Sequence, residues 1–296
     1  MSQPMLRLHE VVKTYDGTVA VDHVSFEVPR GAIYGLLGPN GAGKTSLIRI
    51  ITTITAADGG EVWLDGERLN PTHPEQIGYM PEERGLYKKM RVGEQLLYLA
   101  RLKGLSAKEA RQRIEWWLER FDCADWWGKK VEELSKGMQQ KVQFIATVVH
   151  QPKLLILDEP FSGLDPVNTN LIKDEIRRLN AEGATIIFST HRMEQVEEIC
   201  EQITLINKGR NILTGRVADL KQRFKEHRYR IEYEGALPDA LAAADAANDR
   251  FRVIAQDERG ITVQVADDAI ANEVLRLLLD AGVRITRFEE ILPTLN

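Results

Sequence analysis

Hydrophobic residues are laid out along this chain in three different patterns. Unbroken apolar runs, "AIYGLLG" (32–38), "LLILD" (154–158) and "ATIIFST" (184–190), predict strands covered on both faces, as a parallel sheet requires. Between the first two, residues 90–133 space their apolar positions three and four apart, in "VGEQLLYLARLKGL" and "AKEARQRIEWWLERF", which predicts helices. Two adjacent tryptophans on a helix cannot both face one core stripe. One of Trp116 and Trp117, and one of Trp126 and Trp127, is therefore expected to be partly exposed; packing is the favoured role for these rings, and docking of a partner by Trp117 or Trp127 is the alternative. After residue 220 the pattern becomes alternating: strand "RYRIEYE", helix "PDALAAADAAN", strand "RFRVIAQ", turn "DERG", strand "ITVQVAD", helix "AIANEVLRLLLDAG" and strand "VRITRFEE". That order is β-α-β-β-α-β, the ferredoxin-like plan.

Chemistry sits where the apolar runs end. The first leads into "GPNGAGKT", residues 38–45, which fits the phosphate-binding loop G-x-x-x-x-G-K-[ST]. Gly38, Gly41 and Gly43, with Pro39, Asn40 and Ala42 between them, let backbone amides turn inward around phosphate oxygens. Lys44 adds a point charge, Thr45 offers a hydroxyl to Mg²⁺, and Ser46 follows in a helix whose positive end faces the phosphates. The second run ends in Asp158 and Glu159, at the edge where open α/β sheets place their ligands. Asp158 is the expected Mg²⁺ residue and Glu159 the expected base for an attacking water. "INKGR" lacks the Asp of a guanine-reading N-K-x-D, so it reads as a turn between strands and a GTPase is set aside.

"VEELSKGMQQKVQ", together with Tyr15, "FSGLDP" and "STH", resembles the ATP-binding-cassette family over roughly residues 6–220. The resemblance implies an α/β fold: a P-loop ATPase core with a mixed sheet, an antiparallel β subdomain, and a helical subdomain near residues 88–133. It implies a head-to-tail dimer, or a pseudo-dimer with a second cassette, enclosing two ATP. Ser135 and Gly137 would then close on the partner copy's nucleotide, Tyr15 would stack on adenine, Asp165 would reach across the dimer, and His191 would touch the γ-phosphate. Two positions depart from the family's L-S-G-G-Q: Lys136 and Met138 stand where it has glycine and glutamine. Another stands in "IGYMPEERGLY", where Glu82 occupies the place of the glutamine that joins the Mg²⁺ shell. A carboxylate is the better Mg²⁺ ligand but donates no hydrogen bond. Arg84 is expected to offset its charge.

Length and charge narrow the picture. At 296 residues the chain suits one large and one small domain: 1–220 the ATPase, 221–226 a basic linker, and 227–296 a small α+β accessory domain. Formal net charge is −5, so no overall basic field draws nucleic acid. No apolar run approaches the roughly 18 residues of a membrane span, no signal-peptide pattern opens the chain, and two unpaired cysteines fit a reducing cytoplasm. The resulting expectation is a cytoplasmic ATPase subunit on the inner face of the membrane, driving a transmembrane permease and resembling bacterial sodium- or drug-efflux cassettes with a C-terminal extension. The alternative is a cassette acting on nucleic acid or ribosomes. It is disfavoured because no coiled coil fits between Lys44 and Ser135 and only one cassette is present.

Overall fold

The apolar runs become the spine of a six-stranded sheet. The computed structural model describes residues 3–83, 85–234, 250–257 and 259–291. In chain order the strands of its first unit are β1 (Leu6–Tyr15), β2 (Thr18–Val28), β3 (Ile33–Leu37), β4 (Gly59–Leu64), β5 (Glu67–Arg68), β6 (Ile77–Met80), β7 (Leu154–Asp158), β8 (Thr185–Thr190), β9 (Gln202–Asn207) and β10 (Arg210–Arg216). The central sheet has the order β10-β9-β3-β8-β7-β6, parallel from β9 to β6 with β10 antiparallel at one edge. Every residue of β3, β7 and β8 is buried, which explains the unbroken runs. A second, antiparallel sheet of order β2-β1-β4-β5 packs its apolar face, including Leu8, Val24 and Val62, into one core with Tyr34, Leu36 and helix α1 (Lys44–Ile51). "INKGR" is the two-residue turn joining β9 to β10, with Lys208 and Gly209 both at positive φ.

The helical part is α2 (Val92–Leu102), α3 (Ala107–Arg120) and α4 (Lys136–Val148). Ser106 caps α3 and exchanges bonds with Glu109 in a capping box. Helix stops at Arg120; only two single turns, Ala124–Trp126 and Val131–Glu133, follow before α4. Trp117 is 5% exposed and packs on Phe121 and Phe144, so it is core, as the packing reading expects, and the docking alternative is set aside for it. Its neighbour Trp116 takes the surface position, under the guanidinium groups of Arg120 and Arg178. Trp127 is half-buried against Gly93, where a Cβ would lie 2.4 Å from the indole. Packing on a glycine-opened gap accounts for that ring.

Two compact units divide the chain, Met1–Val217 and Ala218–Asn296. In the second, β11 (Arg228–Glu234), β12 (Phe251–Asp257), β13 (Gly260–Val265) and β14 (Arg284–Ile291) form an antiparallel sheet of order β12-β13-β11-β14, as the ferredoxin-like plan requires. Ile231, Ile261 and Val263 pack on Val274 and Leu278 of the helix Asp268–Asp280. The helix expected at 238–248 lies outside the described residues. Part of the basic stretch read as a linker is structured: a helix spans Val217–Arg223, and Lys225, His227 and Tyr229 all bond the Asp268 carboxylate. Among the described residues no helix is long and apolar enough to cross a membrane.

Candidate active site

Four neighbouring parallel strands, β3, β8, β7 and β6, release their C-terminal ends side by side. β3 leads into the glycine loop and α1, β8 into His191, β7 into Glu159, and β6 into Glu82. The loop's path needs glycine at two points. A Cβ on Gly38 (φ 147°) would sit 2.1 Å from the Ile206 carbonyl oxygen, and one on Gly43 (φ 107°) 2.4 Å from that of Ala20. Lys44 Nζ donates to the Gly38 and Pro39 carbonyls at 2.6 and 3.1 Å. Burial lowers its pKa, while Asp158, Glu159 and Glu82 oppose that fall.

A cavity of about 290 Å³ is lined by residues 40–46, Ala20, Glu82, Asp158 and Glu159. Asp158, 5% exposed, accepts from Ser189 Oγ at 2.7 Å; burial raises its pKa, against the Ser189 bond. Glu159 is held in the left-handed region at φ 49°, an uncommon conformation for a residue with a side chain. Its carboxylate accepts from Thr190 Oγ1 at 3.1 Å and from the His191 backbone N–H at 2.9 Å, and pairs with His191 Nδ1 at 2.6 Å. The strained backbone and three contacts fix where the carboxylate points, as a general base requires.

Three carboxylates, Glu82, Asp158 and Glu159, thus face one ammonium across a phosphate-sized cavity. This charge excess fits a divalent cation. Among the described residues no group of three or more acids, histidines or cysteines is gathered closely enough to cage a metal alone. An ion here would complete its shell with phosphate oxygens and water, as Mg²⁺ does at nucleotide sites.

The remaining expected residues lie elsewhere. Tyr15 is exposed at the end of β1, with Lys13 Nζ 5.4 Å from its ring centre. Ser135 caps α4 by accepting from the Met138 N–H at 3.3 Å. Asp165 caps α5 (Pro166–Ala181) by accepting from the Asn168 N–H at 2.9 Å. Ser135, Gly137 and Asp165 do not line the phosphate cavity of their own chain. The sequence pattern alone does not point to Ser189 and Thr190, which donate to the Asp158 and Glu159 carboxylates, although both lie in "STH". Nor does it point to Gln140 and Gln143, buried on α4, whose amides donate to the Pro160 and Pro81 carbonyls at 2.9 Å each. Both cysteines are free and buried, with thiols pushed up to about 12, and take no part.

The model of the ABC transporter family matches residues 21–162, and that of the DrrA1-3-like ATP-binding protein C-terminal domain matches residues 215–296. The uncharacterized ABC transporter ATP-binding protein YhaQ of Bacillus subtilis is 42% identical over 99% of this chain and 96% of its own. The Nod factor export ATP-binding protein I of Burkholderia pseudomallei is 38% identical over 73% of this chain and 72% of its own. Among solved structures, an ATP-binding subunit of an ABC transporter superposes with a TM-score of 0.70 at 31% identity, covering 74% of this chain and 93% of that one.

Proposed function

Because the chain belongs to the ABC transporter family as an ATP-binding, ATP-hydrolysing subunit, we propose that two copies meet head to tail around two MgATP and drive a transmembrane partner that exports its substrate. Lys44, Thr45 and Ser46 bind the phosphates, and Tyr15 stacks on the adenine. Glu159 takes a proton from the attacking water, and His191, paired with it, reaches the γ-phosphate. Ser135, Gly137 and Asp165 come from the other copy. Thr45, Asp158 and Glu82 would hold Mg²⁺, which supplies charge neutralisation at the β- and γ-phosphate oxygens.

The observation that carries the dimer reading is the one-sidedness of the phosphate cavity. Its wall consists of loop and carboxylates, while the capped N-terminus of α4, a surface suited to anions, lies outside it in the same chain. A second copy supplies the missing wall. An apolar groove of about 350 Å³, lined by Ile54, Tyr79, Leu86, Leu99, Leu102 and Gln143, is the docking place for a short helix of the membrane-spanning partner, which would hold the subunit at the inner face of the membrane. Export is supported by the Nod-factor-export relative. Steady-state ATPase measurement tests the chemistry: Glu159→Gln should lower turnover on the order of 10²- to 10⁴-fold while leaving ATP bound. Turnover close to wild type would remove Glu159 from its role.

A further inference from the structure

One face of α4 touches both catalytic carboxylate segments. Gln140 and Gln143, three residues apart, are 1% and 4% exposed. Gln140 Nε2 donates to the carbonyl of Pro160, which follows Glu159; Gln143 Nε2 donates to the carbonyl of Pro81, which precedes Glu82. Just before them, Gln139 Nε2 donates to the Val131 and Leu134 carbonyls at 3.2 and 3.0 Å, fastening the chain that leads into Ser135. One turn of helix therefore ties together the base, the candidate metal carboxylate and the capped helix start. The Pro160 carbonyl is buried and would be left unsatisfied without its donor, so that bond is costly to break; the Pro81 bond is part-buried and costs less to lose.

We propose that Gln140 and Gln143 are positioning residues that couple the two nucleotide sites of the dimer. The inference rests on the sandwich reading above. Ser135 begins the helix that meets the partner copy's nucleotide, and Gln140 lies about 8 Å further along the same axis at 1.5 Å per residue. An α-helix is stiff over that length, so a shift of its N-terminus on engaging the partner's γ-phosphate moves both amides. They carry the backbone beside Glu159 and Glu82 of their own site. Occupancy of one site thereby sets the base and the metal carboxylate at the other.

The test uses Gln140→Met and Gln143→Met singly in the full chain, since methionine keeps the side-chain length and removes the donor. Turnover is measured against ATP concentration, MgADP affinity by calorimetry, and melting temperature alongside. We expect wild type to respond cooperatively to ATP, and each variant to lose cooperativity and about tenfold in kcat while keeping MgADP affinity within about twofold, the scale of one lost hydrogen bond at the transition state alone. Wild-type kcat and ATP response in both variants would overturn the proposal. So would a fall in kcat matched by an equal fall in MgADP affinity and melting point, or a wild type without cooperativity. Should Gln140→Met not fold, Gln143→Met decides alone. A Glu159→Gln chain that stays monomeric in MgATP would instead defeat the sandwich reading, whatever the glutamine variants do.

Discussion

Glu82 carries the oddest chemistry of any single residue, a carboxylate where the family resemblance has an amide. It lines the phosphate cavity with Asp158 and Glu159 and contributes to raising the Asp158 pKa. If it shares the metal, Glu82→Gln keeps substantial ATPase activity, whereas Glu82→Ala lowers it and moves the Mg²⁺ titration to higher concentration; an unmoved titration would return Glu82 to solvent. A second residue makes the fold itself pH-sensitive. His150 is buried, with Nε2 3.3 Å from the Ile77 carbonyl, and burial, with Lys103 nearby, pulls its pKa to about 4. The unfolded chain then binds a proton below about pH 6.5 that the folded chain refuses. Stability is full above pH 6.5 and falls toward pH 4, by about 3 kcal/mol from this residue. Urea midpoints of wild type and His150→Leu should therefore diverge between pH 7 and pH 5, with wild type falling faster. The glycine loop between β3 and α1 was readable in advance because its glycines, strand and helix each leave a local mark in the sequence. Ser189, Thr190, Gln140 and Gln143 were not, because a polar residue on a buried strand or helix shows its partner only once the elements are packed.

At the scale of elements, α3 and α5 are joined by a buried ionic knot. The Glu175 carboxylate accepts from Arg120 Nε at 2.6 Å and Arg178 Nε at 2.8 Å, and Arg178 lies over both Trp116 and Trp117, 5.2 Å from each ring. This explains the paired tryptophans better than a docking surface does: one fills the core, and the other is the ring on which two guanidinium groups lie. Glu175→Ala leaves two arginines without their shared partner and should cost about 2 kcal/mol in calorimetric unfolding, less than a fully buried pair because both arginines keep solvent contact and Arg178 keeps Glu182. A change under about 0.5 kcal/mol, the level of an ordinary surface substitution, would mean the knot is decorative. Strand identities were legible from unbroken apolar runs, and α2 and α3 from their periodicity. The end of α3 at Arg120 was not. "FDCADWW" is as apolar as the helix before it, and Asp122, at φ 52°, breaks the helix by backbone conformation rather than by pattern.

Taken whole, the molecule is an ATPase unit followed by a four-stranded accessory unit, and each has its own core. The accessory unit's strand order was visible in its alternation. The basic stretch before it read as a linker because charge density resembles solvation; it is instead pinned by Asp268, which three side chains hold well below the usual carboxylate range. The signature and phosphate loop were legible as motifs, but that Ser135 and Gly137 lie outside the cavity lined by the phosphate loop needed three dimensions. This separation is the basis of the dimer proposal, and sedimentation of the Glu159→Gln chain tests it most directly. With saturating MgATP it should sediment as a dimer, return to monomer when ATP is removed, and stay monomeric when Ser135→Arg is added. A monomer in MgATP, or a dimer indifferent both to nucleotide and to Ser135→Arg, would contradict the account.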